Sequence, residues 1–138
     1  MSQSGTFVAN GRTYRAPSQT IVGVCIDGCE PAYLDEAASR MPQLSRLLAD
    51  GARGEASTVV PSFTNPNNVA IVTGVPPAIN GIPGNFYYDE DADAEVLMND
   101  PRWLRCPTLL AAAAQAGVEV TTVTTKDKLR AFLSQGLP

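Results

Sequence analysis

The sequence predicts an α/β fold with a layered parallel-sheet core, and three observations carry that reading. Strand-like and helix-like stretches alternate along the chain, roughly three times over. The strand-like stretches are continuous β-branched runs, the pattern of strands covered on both faces. The helix-like stretches stop at Gly or Pro, which terminate helices for steric reasons.

Taken in order, residues 1–19 read as a small N-terminal hairpin. Asn10-Gly11 is a turn signal between the strand-like runs Thr6–Ala9 and Arg12–Tyr14. Thr20-Ile21-Val22-Gly23-Val24-Cys25-Ile26 is the first core strand, and Asp27 closes it. Met41, Leu44, Leu47 and Leu48 have helical spacing, with Gly51 as the stop. Residues 54–60 read as the second core strand and 65–73 as a short helix stopped by Gly74. Residues 79–84 are a Gly- and Pro-rich loop. Residues 86–98 read as an inserted hairpin whose acidic tip, Asp89 to Asp93, is a solvated turn; calcium would need a longer, more regular ligand spacing. Residues 108–116 read as an Ala-rich helix, 118–124 as the third core strand and 127–133 as the start of a last helix.

Composition narrows the function. The 138 residues fit one domain able to bury a core. A net charge of −4 and a pI near 4.6 argue against nucleic acid or an anionic membrane as partner. No apolar run approaches the roughly 20 residues that span a bilayer. Met1 to Gly11 lacks the basic-then-apolar layout of a signal peptide. Three cysteines, Cys25, Cys29 and Cys106, are too sparse for a disulfide framework and fit a reducing cytoplasm. They are also too few for a thiolate metal site, so Cys25 is expected to pack as a small strand residue and Cys29 to lie in the following turn. The chain contains no histidine.

Ligands of open parallel sheets collect beyond the carboxyl ends of the strands. Asp27, Thr64, Lys126 and Lys128 follow the three predicted core strands and so share that rim. An Asp after a strand also serves as an ordinary turn or helix cap. In Pro61-Ser62-Phe63-Thr64-Asn65-Pro66-Asn67-Asn68, Pro66 sits just inside a helix start, with Thr64 or Asn65 as the cap. A hydroxyl there lies in the positive field of the helix dipole, near free N–H groups that favour a phosphoryl oxygen. Thr64 is equally readable as a plain N-cap. Lys126 and Lys128 stand at a helix start, where cations are disfavoured; they read either as solvated surface charges or as contacts for an anionic partner.

These segments carry a resemblance. The strand ending in Asp27 and the Thr64 segment resemble the alkaline phosphatase superfamily, in its nucleotide pyrophosphatase/phosphodiesterase branch. Thr73-Gly74-Val75-Pro76-Pro77, Gly81-Ile82-Pro83-Gly84-Asn85-Phe86 and Thr125-Lys126-Asp127-Lys128-Leu129 resemble, more narrowly, the phosphonoacetate-hydrolysing family within it. The resemblance covers the chain from Thr20 onward. It implies hydrolysis of the C–P bond of phosphonoacetate to acetate and phosphate. It implies Thr64 as nucleophile, Asp27 and Thr64 as ligands of one of two zinc ions, Asn85 on a phosphonate oxygen, and Lys126 and Lys128 on the substrate carboxylate.

The family places further Asp and His ligands beyond the segments matched here. On that basis residues 1–138 are expected to be the N-terminal portion of one α/β hydrolase domain, inactive alone. Asn80 stands where relatives often carry a His. The expected partner is a small anionic phosphonate, without nucleic acid or membrane, and a homo-oligomer is left open. The rival readings are a related metal-dependent phosphodiesterase or phosphomonoesterase, and a non-catalytic α/β binding module with Asp27 and Thr64 as caps. A haloacid-dehalogenase-type phosphatase needs an Asp where Cys29 stands. A dinucleotide fold needs a Gly-x-Gly-x-x-Gly after the first strand, which is absent.

Overall fold

A computed structural model describes residues 5–138. The chain divides into two units: the chain up to Ile21 together with Thr58–Pro138, and Val22–Ser57.

The first unit opens with β1 (Thr6–Ala9) and β2 (Arg12–Arg15), paired antiparallel with Ala9 opposite Arg12. Asn10 and Gly11 both take positive φ, 50° and 77°, as a two-residue type I′ turn requires. Residues 1–4 of the predicted hairpin segment lie outside the described residues. Asn10 also ties the hairpin down: its Nδ2 donates to Thr73 O at 2.7 Å and to Pro107 O at 3.0 Å.

Helix α3 (Thr64–Thr73) ends at Gly74, and the short helix α4 (Pro77–Asn80) follows. The predicted insertion is present as β3 (Phe86–Asp89) and β4 (Ala94–Leu97), paired with Phe86 opposite Leu97. A 3₁₀ turn, Pro101–Trp103, leads to α5 (Leu109–Gln115), whose N-cap Thr108 accepts the Ala111 N–H at 3.0 Å. Helix α6 (Asp127–Ser134) is last. Val69 of α3, Ile82, Met98 and Phe132 of α6 form the buried core, with Tyr87, Trp103 and Leu104 packed against it. One core therefore binds together the helix that begins at Thr64, the loop before Asn85, the hairpin end and the helix that follows Lys126.

The second unit holds α1 (Pro31–Ala38) and α2 (Pro42–Asp50), each with Pro at its first position, where a missing N–H costs nothing. The sequence reading had a turn where α1 forms. Leu44 and Leu48, one turn apart, are the half-buried positions of α2, whereas Leu47 is exposed. Arg53 grips Asp35 with both guanidinium nitrogens, at 2.5 and 3.1 Å.

The parallel sheet is the main departure from expectation. Both sheets among the described residues are two-stranded and antiparallel. Residues 20–26, 54–60 and 118–124 are not strands. The reason is coverage: a parallel strand needs neighbours along its edges and layers over its faces. Ile21, Val22, Val24 and Ile26 are instead 64–77 % exposed, and Val123 is 90 % exposed. Cys25 is exposed as well, so it does not pack as a strand residue.

Candidate active site

The turn into α3 is built by backbone N–H groups finding acceptors. Phe63, with extended φ −109° and ψ 161°, is the N-cap, and no side chain caps the helix. Thr64 is thus the first helical residue, and neither Thr64 nor Asn65 is the cap that the sequence pattern offered. Pro66, in the third position, has no N–H to satisfy. The Asn65 N–H donates to Asn85 Oδ1 at 3.0 Å, and the Asn67 N–H reaches Phe63 O at 3.4 Å. The Thr64 N–H is left without an acceptor among the described residues, and Thr64 Oγ1 likewise makes no hydrogen bond there. A free donor and a free hydroxyl thus sit on one half-buried residue at the positive end of a helix.

Asparagines hold this turn in place. Asn67 Oδ1 accepts the Val59 N–H at 2.9 Å, and its Nδ2 donates to Phe63 O at 2.9 Å, clamping residues 59–63 onto the helix. Asn68 Nδ2 donates to Thr64 O at 2.9 Å. Asn65 is fully buried; its Nδ2 donates to Met98 O at 2.7 Å and to Asn99 Oδ1 at 3.0 Å, while its Oδ1 has no partner. An unmet buried carbonyl costs about 1–3 kcal/mol.

Asn85 and Thr64 are therefore brought together through the Asn65 N–H. Lys126 and Lys128 belong to the same unit. Lys126 is the N-cap of α6 and its N–H donates to Thr124 Oγ1 at 3.2 Å. Lys128 is the second helical residue, and both lysines are half-buried. Asp127 between them supplies an acidic group in the first turn. Helix α6 packs against α3, which bears Thr64. Asp27 belongs to the second unit. It is exposed in the turn closed by Cys29 N–H on Ile26 O at 3.3 Å, with Gly28 at φ 77°, the value a type II turn demands of its third residue.

Asn80 is a structural residue. It is fully buried, its Nδ2 donates to Val75 O and its Oδ1 accepts the Ile82 N–H, both at 2.9 Å. Both ends of its amide are thus engaged in holding residues 75–82 together.

A zinc ion takes about four N, S or O ligands. Of the two expected ligands, Asp27 belongs to Val22–Ser57 and Thr64 to the other unit. No group of three or more His, Cys, Asp or Glu side chains converges among the described residues, and the sequence has no His. Burial pushes the Cys106 thiol above its ordinary value. The described residues do not by themselves fit a zinc centre.

The family model for type I phosphodiesterase / nucleotide pyrophosphatase matches residues 21–129, a span that holds Asp27, Thr64, Asn85, Lys126 and Lys128. The chain belongs to this family. The crystal structure of phosphonoacetate hydrolase from Sinorhizobium meliloti 1021 in complex with phosphonoacetate is similar at a TM-score of 0.88 and 49 % identity, over 98 % of this chain and 33 % of that one. The structure of the same enzyme in complex with phosphonoformate is similar at a TM-score of 0.88 and 50 % identity, again over 98 % and 33 %. This chain thus spans about a third of that enzyme's length and shares the alkaline phosphatase-like fold of the matching part.

Sequence reasoning missed the roles of Asn65, Asn67 and Asn99. One signal was on the page: Asn disfavours helix interiors because it competes for backbone hydrogen bonds. Three Asn within the first five residues of a helix therefore mark side chains engaged elsewhere.

Proposed function

We propose that this chain is the nucleophile-bearing portion of one α/β hydrolase domain that cleaves the C–P bond of phosphonoacetate. The observation that carries the reading is the 49 % identity to a phosphonoacetate-bound phosphonoacetate hydrolase over 98 % of the chain. The unpartnered Thr64 N–H and hydroxyl beside Asn85, on a helix packed against the one that Lys126 and Lys128 open, support it.

In this mechanism Thr64 Oγ attacks phosphorus. The Thr64 N–H and Asn85 Nδ2 hold a phosphonyl oxygen. The C–P bond breaks with its electron pair on carbon, and the charge spreads into the carboxylate as an enolate-like species. Lys126 and Lys128 stabilise that growing charge, which lowers the transition state more than the ground state. A proton from solvent, replacing the one that the Thr64 hydroxyl gives up to solvent on attack, goes to the carbon and gives acetate, and water then releases phosphate from phosphothreonine. Asp27 and Thr64 would each supply one oxygen ligand to a two-zinc centre, which would offset charge on the phosphonyl oxygens and lower the pKa of the Thr64 hydroxyl. The other ligands, and the partners that would complete a parallel sheet along 20–26, 54–60 and 118–124, come from outside the described residues.

The substrate class is a small anionic phosphonate, and the negative net charge of the chain keeps nucleic acid out of the account. No helix among the described residues is long and apolar enough to cross a membrane. Three free cysteines fit a cytoplasmic setting. The exposed apolar runs favour association, in a homo-oligomer or with further chain.

The test is a chimera in which this chain replaces the matching third of the Sinorhizobium meliloti enzyme, loaded with zinc. Turnover of phosphonoacetate well above that of a nitrophenyl phosphodiester supports the reading. Preference for the diester would assign a phosphodiesterase, since a diester gives the lysine pair no carboxylate to bind. No turnover of either would leave a non-catalytic module.

A further inference from the structure

The bonds around Asn65 close a circuit. Its N–H donates to Asn85 Oδ1, the Met98 N–H donates to Asn85 O at 2.8 Å, and Asn65 Nδ2 returns to Met98 O and Asn99 Oδ1. The circuit runs from the residue after Thr64, through Asn85, to the end of the β3–β4 hairpin and back. It is set in the core: Asn65 is fully buried, and Met98 packs with Val69, Ile82 and Phe132.

This fixes what Asn85 can offer. A primary amide has one acceptor end and one donor end. The Asn65 N–H occupies the acceptor end, and the donor end has no partner among the described residues. An arriving group meets an NH₂, which suits an anionic oxygen and repels a cation. Asn65 itself satisfies only the end that holds the hairpin and leaves its buried Oδ1 unmet.

We infer that Asn65 is a positioning residue: it locks the base of the β3–β4 hairpin and so holds the Asn85 amide donor-outward next to Thr64. The inserted hairpin is then a brace for the oxyanion donor. This rests on the assignment of Asn85 to the phosphonyl oxygen made above.

Two measurements test it. The first is amide hydrogen exchange at position 65 in this chain. The amide is protected in the parent chain, protected in Asn85→Asp, which keeps an acceptor, and unprotected in both Asn85→Ala and Asn65→Ala. Protection surviving in Asn65→Ala overturns the proposal, because Asn85 is then held without the Asn65 side chain. The second is a kinetic cycle in the zinc-loaded chimera. Asn65→Ala lowers kcat/KM about 10- to 100-fold, and Asn65→Ala/Asn85→Ala is no worse than Asn85→Ala alone. Additive losses overturn it. If Asn65→Ala fails to fold, Asn99→Ala, which removes one acceptor only, shows the same pattern at smaller size. A parent chimera without phosphonoacetate turnover would remove the proposed function, and the exchange measurement then decides the positioning role by itself.

Discussion

In the unit that carries Thr64, apolar burial and amide hydrogen bonds act on the same residues; in Val22–Ser57 they do not. The first unit buries Val69, Ile82, Met98 and Phe132, and Asn65, buried as well, hydrogen-bonds to Asn85, Met98 and Asn99. In Val22–Ser57 no residue is buried, and its best-defined side-chain link is the exposed Asp35–Arg53 pair. The lesson concerns which of the proposed catalytic groups are preorganised. Asn85 is held by the N–H of the fully buried Asn65, whose side chain is tied in turn to Met98 O, and Thr64 precedes Asn65 in the chain; fixed groups of this kind contribute most to rate. Asp27 stands on a turn whose own unit supplies no core.

Five outcomes would sharpen or break this contrast. The largest concerns the hydroxyl: Thr64→Ala in the zinc-loaded chimera loses at least about 10³-fold in kcat with melting unchanged, measured by phosphate release. Retained activity would detach the preorganised turn from the chemistry. Next, Phe132→Ala opens a cavity in the first unit and costs about 3–5 kcal/mol by denaturant titration. A near-neutral result would mean that this core does not hold the unit together. Third, Lys128→Ala lowers phosphonoacetate turnover about 10²-fold while sparing a phosphoryl substrate that has no carboxylate. Equal losses on both substrates would place Lys128 away from the carboxylate.

Fourth, Asn67→Ala removes both bonds of the clamp on residues 59–63 and costs about 1–3 kcal/mol. The smallest effect belongs to the second unit. The Arg53 guanidinium holds the Asp35 carboxyl below its usual value of 3.8. A depressed carboxyl contributes stability above its unfolded value, and that contribution disappears as pH falls through the folded one. Chemical-shift titration should show it only in acid, weakened by salt because the pair is exposed. Loss near neutral pH would contradict the assignment.

Helix α3 was legible because Gly74 and the Pro76-Pro77 pair fixed its end. The two hairpins were legible because Asn10-Gly11 and the acidic tip between Asp89 and Asp93 are local turn chemistry. The strands were not realised because Ile21 to Ile26 and Val118 to Thr124 encode what covers them, and coverage is a tertiary property. The site was half legible. Thr64 and the lysines stand at helix starts that local pattern reveals. The bonds of Asn65 to Asn85, Met98 and Asn99 join positions 20 to 34 residues apart, which no local rule connects.

The central claim is that Thr64 takes the phosphoryl group from a C–P bond. Acid quenching of the zinc-loaded chimera during turnover of phosphonoacetate, followed by peptide mass spectrometry, measures it directly. The account predicts one added phosphoryl group on Thr64, absent in Thr64→Ala. Sustained turnover with that peptide unmodified, or phosphate on a different residue, would contradict it.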